Sequence, residues 1–208
     1  ANGYGHGAVP IAKTICHEPG VHLAVFSLDE AMELRRNSIE NNILIFCRMQ
    51  PEFVELAFKH DLTLNLSSLD DITYLKEFIS RTGQSPRFHI KFDTGMTRLG
   101  VDVSDAETVF DDVASIEGIN PEGVYSHFAT ADEGDISYAE YQLSQFKTAV
   151  KMAKSYNINF KYIHCSNSGS ILNLPQSYFN MVRVYIRPLS LPQHKACSVD
   201  QTKIINVC

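Results

Sequence analysis

Phe88-His89-Ile90-Lys91-Phe92-Asp93-Thr94-Gly95-Met96-Thr97-Arg98-Leu99-Gly100 opens as a short alternating strand and runs out into a turn of small and polar residues. Lys91 sits inside the apolar run, where a lysine is costly unless it is paired or chemically modified. Arg98 follows just past the strand end, which is where strand–loop–helix folds place their reactive groups. The lysine and the arginine are therefore read together as parts of an active site.

The same pattern recurs on both sides of this stretch. Short apolar strands are expected at 22–26, 43–46, 62–66, 87–92, 123–128, 160–165 and 180–185. The segments between them read as amphipathic helices. Ser27 with Glu30 forms a capping box, Pro51 stands at a first helical position, and Ser68 and Ser104 are further caps. Inward faces are expected from Ile11, Ala12 and Ile15, from Phe53, Leu56 and Ala57, and from Ile72, Leu75, Phe78 and Ile79. Val109, Val113 and Ile116 form another, and a long helix over 138–156 turns Tyr141, Phe146, Val150 and Ala153 inward. A strand–helix unit of about 20–35 residues, repeated without a linker, fits a (β/α)8 TIM-type barrel better than an open doubly wound sheet. One strand is wanting, and Ala1 to Gly7 would be the loop that follows it. The barrel domain is expected over 1–187, with a divergent or truncated tail over 188–208 and no clear element beyond Arg187. The chain is thus read as a piece of a longer protein.

Composition narrows the function. The chain has 208 residues, 44% of them hydrophobic and 20% charged, enough for one core and too apolar for disorder. A net charge of −6 argues against non-specific nucleic-acid binding. No apolar run approaches a membrane span and no leader pattern is present. The cysteines, Cys16, Cys47, Cys165, Cys197 and Cys208, are scattered, with no C-x-x-C pair. That makes a zinc site or disulfide framework a poor reading and a reducing cytoplasm the expected compartment.

In a parallel α/β fold the site lies at the carboxyl ends of the strands. Reading those ends gives Tyr4 and His6, Lys91 and Arg98, His127, Asn167 and Ser168, and Arg183. The set suits an anion, most simply a phosphate, with Ser168 and the amides that follow it at a helix start. No G-x-G-x-x-G follows a strand, no P-loop lysine is present, and no Asp/Glu pair stands at matching strand ends.

Five blocks, in order, resemble the alanine racemase family. They are Ala1-Asn2-Gly3-Tyr4-Gly5-His6-Gly7-Ala8, the stretch His89 to Gly100, Ser126-His127-Phe128-Ala129, His164-Cys165-Ser166-Asn167-Ser168, and Met181-Val182-Arg183-Val184. The resemblance implies a barrel that binds pyridoxal 5′-phosphate on a lysine standing immediately before the first block. No catalytic base would then lie within these residues, because the second is a tyrosine from the partner subunit's C-terminal β domain. It implies that Tyr4 bonds the cofactor phosphate and that Lys91 is a carbamylated lysine holding Arg98. Arg98 would bond the phenolic oxygen and the substrate carboxylate, and His127 would lie beside the pyridine ring. Asn167 and Ser168 would sit at the phosphate, and Arg183 would donate to the ring nitrogen. The remaining histidines, His6, His17, His22, His60, His89, His164 and His194, are read as structural or surface residues.

The family continues after its arginine with a glycine that supplies a phosphate-binding amide, where this chain has Tyr185-Ile186-Arg187-Pro188. The amides of Tyr185 and Ile186 are the candidates for that role. The implied activity is interconversion of L- and D-alanine in the cytoplasm by a homodimer, supplying D-alanine as a peptidoglycan precursor. The partners would be a small amino acid, with no metal, nucleic acid or membrane. A non-catalytic cofactor-binding barrel, a degenerate remnant, and a related decarboxylase or aldolase stay open as alternatives. Arg183 speaks against the decarboxylase, whose usual ring-nitrogen partner is a carboxylate.

Overall fold

The computed structural model describes residues 2–184 and the backbone of 202–206. After a 3-10 turn at Gly3–Gly5 come α1 (Ala8–Ile15), β1 (Val21–Val25), α2 (Leu28–Arg36), β2 (Ile43–Ile45), α3 (Pro51–Lys59), β3 (Leu62–Leu66) and α4 (Leu69–Thr82). They are followed by β4 (Phe88–Asp93), β5 (Val101–Asp102), α5 (Ala106–Ala114), β6 (Gly123–Tyr125), α6 (Ser137–Ala153), β7 (Tyr162–His164), α7 (Ser168–Asn173), β8 (Met181–Val184) and β9 (Thr202–Asn206).

Local chemistry sets the helix starts. The Ser27 side chain accepts from the Glu30 amide while Glu30 reaches back to Ser27, closing the expected capping box. Pro51 occupies the first turn of α3, and Ser68 starts α4 with Asp71 as its reciprocal partner. The expected Ser104 cap is corrected. Asp102 accepts from the Ser104 amide and caps a 3-10 turn, Val103–Asp105, from which α5 continues. Two inward assignments are also corrected, since Tyr141 is 54% and Leu56 39% exposed. Leu143, Phe146, Ala149 and Ala153 carry the buried stripe of α6 instead, and Val54 with Ala57 that of α3.

All strand pairs are parallel, in the order β7-β6-β4-β3-β2-β1-β9-β8, with β5 added to β4. The Arg183 amide donates to Ser166 O at 2.9 Å, which ties β8 to the end of β7. The architecture is the expected TIM-type barrel, with no strand before the first turn among the described residues. In the place of that strand, between β1 and β8, lies β9. It pairs Val21 with Lys203 on one side and Met181 with Thr202 on the other. Sequence reading expects no element there, and Thr-Lys-Ile-Ile-Asn is too short a run to announce one alone.

Strand alternation divides the two faces. On β4, Phe88, Ile90 and Phe92 join the apolar layer under the helices, while His89 and Lys91 alternate with them toward the barrel interior. The same parity brings Thr63, Asn65, Tyr125, His164 and Arg183 inward, all buried. A small apolar cluster of Ala24, Leu44, Tyr162 and Met181 packs beside them. The barrel therefore has an apolar outer seam and an unusually polar lining, and that lining positions the site.

Candidate functional site

The loop after β4 is organised by one carboxylate. Asp93 accepts from the amides of Gly95 at 2.8 Å and of Thr97 and Arg98 at 3.1 Å each. Thr97 is held at φ 52° and the loop closes at Gly100, φ 131°. A Cβ on Gly100 would stand 2.7 Å from the Asp93 nitrogen, so only glycine fits. These bonds fix the backbone from which the exposed Arg98 side chain projects.

Lys91, one turn of the pleat earlier, is 5% exposed, with its Nζ 5.6 Å from the Tyr125 ring centroid. The Arg183 guanidinium lies over the same ring at 5.2 Å. Burial, then the charges of Arg183 and Arg98, pull the Lys91 ammonium down to about 8. Three cations thus converge on one end of the barrel.

Arg183 is only 2% exposed. Its Nη1 donates to His164 Nδ1 at 2.7 Å, and its Nη2 donates to the Ser126 carbonyl and to His127 Nδ1 at 3.1 Å. A guanidinium only donates, so both imidazole nitrogens that face it must be acceptors. Burial, reinforced by Arg183, Arg98 and Lys91, pushes His127 down to about 3. At neutral pH it is an uncharged ring beside a fixed cation.

Gln142 of α6, fully buried, clamps the loop after β6. Its carbonyl accepts from the Ala129 amide at 2.9 Å and its amide donates to His127 O at 3.2 Å. Thr94 and Ser126 hydroxyls meet at 2.8 Å between the two loops. Tyr125 stacks on His164, centroids 4.8 Å apart, and donates to Asn65 Oδ1 at 2.8 Å.

Tyr4 stands half exposed at φ 56° in the turn before α1. The Asn2 side chain accepts from the Ala8 amide at 2.9 Å and so braces that turn. His6 is exposed. Asn167 caps α7 by accepting from Ser170, and its amide donates to Phe128 O at 3.3 Å, so Ser168 begins that helix beside the His127 loop.

Lys91, Arg98, His127 and Arg183 are thus brought together, with the Asn167–Ser168 start tied to the same rim. Tyr4 stands on a separate turn. Tyr185 and Ile186 lie outside the described residues, as does His194. Gln142, Asn65 and Tyr125 were not anticipated. Gln142 carried a faint signal, a polar residue between apolar neighbours on the buried stripe of α6. Among the described residues, no group of three or more His, Cys, Asp or Glu side chains could hold a metal ion. No helix of the described residues is long and apolar enough to cross a membrane.

The strand ends of this parallel barrel thus carry a cation cluster built around a buried arginine. The chain belongs to the alanine racemase family: residues 1–185 match the family's description, alanine racemase, N-terminal domain. It is 39% identical to an alanine racemase of Halalkalibacterium halodurans over 186 residues, 88% of this chain and 47% of that protein. It is 38% identical to one of Methanococcus maripaludis, covering 88% of this chain and 49% of the other. Among solved structures, an alanine racemase of Clostridium difficile 630 superimposes with a TM-score of 0.83 at 33% identity, over 89% of this chain and 49% of that one. An alanine racemase of Bacillus anthracis with bound L-Ala-P gives 0.81 at 33% identity, over 92% and 50%. The chain spans about half the length of the curated relatives it matches.

Proposed function

We propose that this chain is the barrel of a pyridoxal-phosphate-dependent alanine racemase, which removes the Cα proton of alanine on one face and returns one on the other. The supporting observation is the convergence of Lys91, Arg98 and Arg183 around Tyr125 and His127, in a chain of the racemase family. Pyridoxal 5′-phosphate fits that donor set, since it offers a phosphate and a phenolic oxygen to cations and a ring nitrogen to a donor. When bound, it supplies the electron-withdrawing ring that makes the Cα proton acidic.

The chain's own residues shape what that ring can do. Arg183 would donate to the ring nitrogen without giving up its proton near pH 7, which would leave that nitrogen unprotonated. Arg183 would thereby limit how much charge a bound ring withdraws from Cα, favouring return of a proton to that carbon over transamination or loss of carboxylate. His127 is neutral and packs beside the ring without adding charge. Arg98 takes the phenolic oxygen and the substrate carboxylate. Asn167 and Ser168 would receive the phosphate, with Tyr4 reaching it from its separate turn.

Lys91 supports Arg98. With its ammonium pulled down to about 8, a usable fraction is neutral amine near neutral pH. That amine adds to carbon dioxide, forming an N–C bond and releasing one proton, which leaves a carbamate anion. Exchange of a positive for a negative charge beside Arg98 and Arg183 turns repulsion into attraction. The proton-transferring lysine and tyrosine lie outside these 208 residues in this reading, so the chain alone forms no D-alanine. The working form is a cytoplasmic homodimer that supplies D-alanine for peptidoglycan.

The test is the protonation state of the ring nitrogen in pyridoxal 5′-phosphate labelled there with 15N and bound to the chain at pH 7. The expected shift is that of an unprotonated, hydrogen-bonded nitrogen, moving to the protonated value in Arg183→Glu. A protonated nitrogen in the unaltered chain would overturn the reading.

A further inference from the structure

The polar lining of the barrel continues away from the site. His164, whose Nδ1 accepts from Arg183, turns its Nε2 to His89 Nδ1 at 3.0 Å. Both rings are buried, and they meet at an interplanar angle of 63° with centroids 5.2 Å apart. His89 Nε2 in turn faces Glu122 Oε2 at 3.8 Å. Glu122 immediately precedes β6, at the amino ends of the strands, so this line crosses the barrel from its far mouth to the arginine. Gly123 gives the line its room, since a Cβ there would stand 2.8 Å from the His89 ring.

The proton inventory of the line follows from one end. Arg183 can only donate, so His164 Nδ1 accepts and its proton sits on Nε2. That proton points at His89 Nδ1, which must accept, so the His89 proton also sits on Nε2. It faces a carboxylate. Burial keeps both rings neutral: His89 is lowered, and His164 well lowered, from the ordinary histidine value. Glu122 is the reverse case, as burial would raise it but the His89 N–H, Arg87 and Lys161 hold it below the ordinary glutamate value. The line is therefore a cation hydrogen-bonded through two polarised neutral rings, both bonds pointing the same way, with the Glu122 carboxylate facing the last N–H at 3.8 Å across a charge contact rather than a hydrogen bond.

We propose that Glu122 is a positioning residue for Arg183: its carboxylate, 3.8 Å from His89 Nε2, is the electrostatic terminus of the one-way hydrogen-bonded line Arg183→His164→His89 and so fixes both imidazole tautomers and the attitude of the guanidinium. The bland reading is a rim carboxylate serving Lys161, whose Nζ lies 3.7 Å from Glu122 Oε1. Lys161 is exposed, so that contact is screened and weak, and it occupies the other carboxylate oxygen. The assignment rests on the cofactor site proposed above for its purpose, but the chain of donors can be read without any cofactor.

The test is long-range 15N–1H NMR of histidine side chains in the 15N-labelled chain, with Glu122→Gln and Glu122→Leu as variants. The unaltered chain should show His89 and His164 each as a single neutral form protonated at Nε2, with both N–H resonances retained in water. In Glu122→Leu the His89 N–H should exchange at least about tenfold faster. The His164 N–H, remote from residue 122, should move upfield. Glu122→Gln, which keeps an acceptor but loses the charge, should retain both resonances with a smaller upfield shift, and it decides the matter if the leucine variant does not fold. A ring protonated at Nδ1, a charged ring at pH 7, or an unmoved His164 resonance in the glutamine variant would overturn the proposal. Pyridoxal 5′-phosphate added afterwards separates the two questions. Failure to bind it defeats the cofactor reading and leaves the tautomers as measured.

Discussion

Lowering the pH from 7 to 5 should destabilise this fold, and the loss should come from buried histidines rather than carboxylates. His127 is lowered from the ordinary value of 6.5 to about 3. The unfolded chain takes up its proton near pH 6.5, while the fold refuses it until far lower. The contribution to stability is therefore complete above 6.5 and disappears as pH falls toward the folded value. For His127, the integrated loss between pH 7 and 5 is about 2 kcal/mol. His89 and His164, buried and also lowered, act in the same direction. His22, lowered to about 4 but partly open to water, adds a smaller amount. As a free amine Lys91 does not contribute in this window, because both its folded and unfolded forms stay mostly protonated below about 8, so the titration is run on protein freed of carbon dioxide. A domain holds only about 5–15 kcal/mol in all, so a loss of this kind is a readable fraction of the total. Urea denaturation followed by circular dichroism at half-unit pH steps gives the proton uptake directly, at about 1.4 kcal/mol per pH unit per proton. Uptake at pH 5.5 should be about two to four protons, falling by about one in His127→Asn. An uptake below one proton, or a buried histidine titrating near 6.5, would refute the reasoning.

Gly100→Ala forces a Cβ against the Asp93 backbone at a φ that only glycine adopts readily, and should cost about 3 kcal/mol, seen as a melting point about 6–12 °C lower. Gln142→Leu leaves the Ala129 amide and the His127 carbonyl without their clamp and should cost about 2–4 kcal/mol in urea denaturation. An unchanged midpoint would show that the loop is held by other contacts. Ile204→Pro removes a ladder donor from β9, which is paired on both sides, and should cost about 3 kcal/mol or more. A melting curve identical to that of the unaltered chain would mean that β9 does not close the barrel.

The strands and helices were legible wherever pattern and punctuation agreed. Ser27 with Glu30, Pro51, and the apolar runs at Ile43 and Leu62 each gave a local reason that tertiary packing did not override. Boundaries slipped where a strand ran out into a functional loop. Ser126 and His127 read as β6 by apolarity but lie beyond its last ladder pair at Tyr125. Tyr141 and Leu56 failed because a helical stripe is wider than the face a neighbour covers. β9 was missed because its partners, β1 and β8, are far away in sequence, and pairing of that kind leaves no local trace. His89 and His164 were read as structural, and no sequence signal reveals that two histidines seventy-five positions apart share a proton. Lys91 and Arg98 were legible through their block, while Gln142 and Glu122 emerge only from geometry.

Calorimetric titration of the chain with pyridoxal 5′-phosphate tests whether the strand ends form a site for that compound. One saturable site is expected, weakened at least about tenfold in Arg98→Ala and in Ser168→Ala and for pyridoxal lacking the phosphate. Absence of saturable binding, or equal affinity for pyridoxal with and without its phosphate, would contradict the claim.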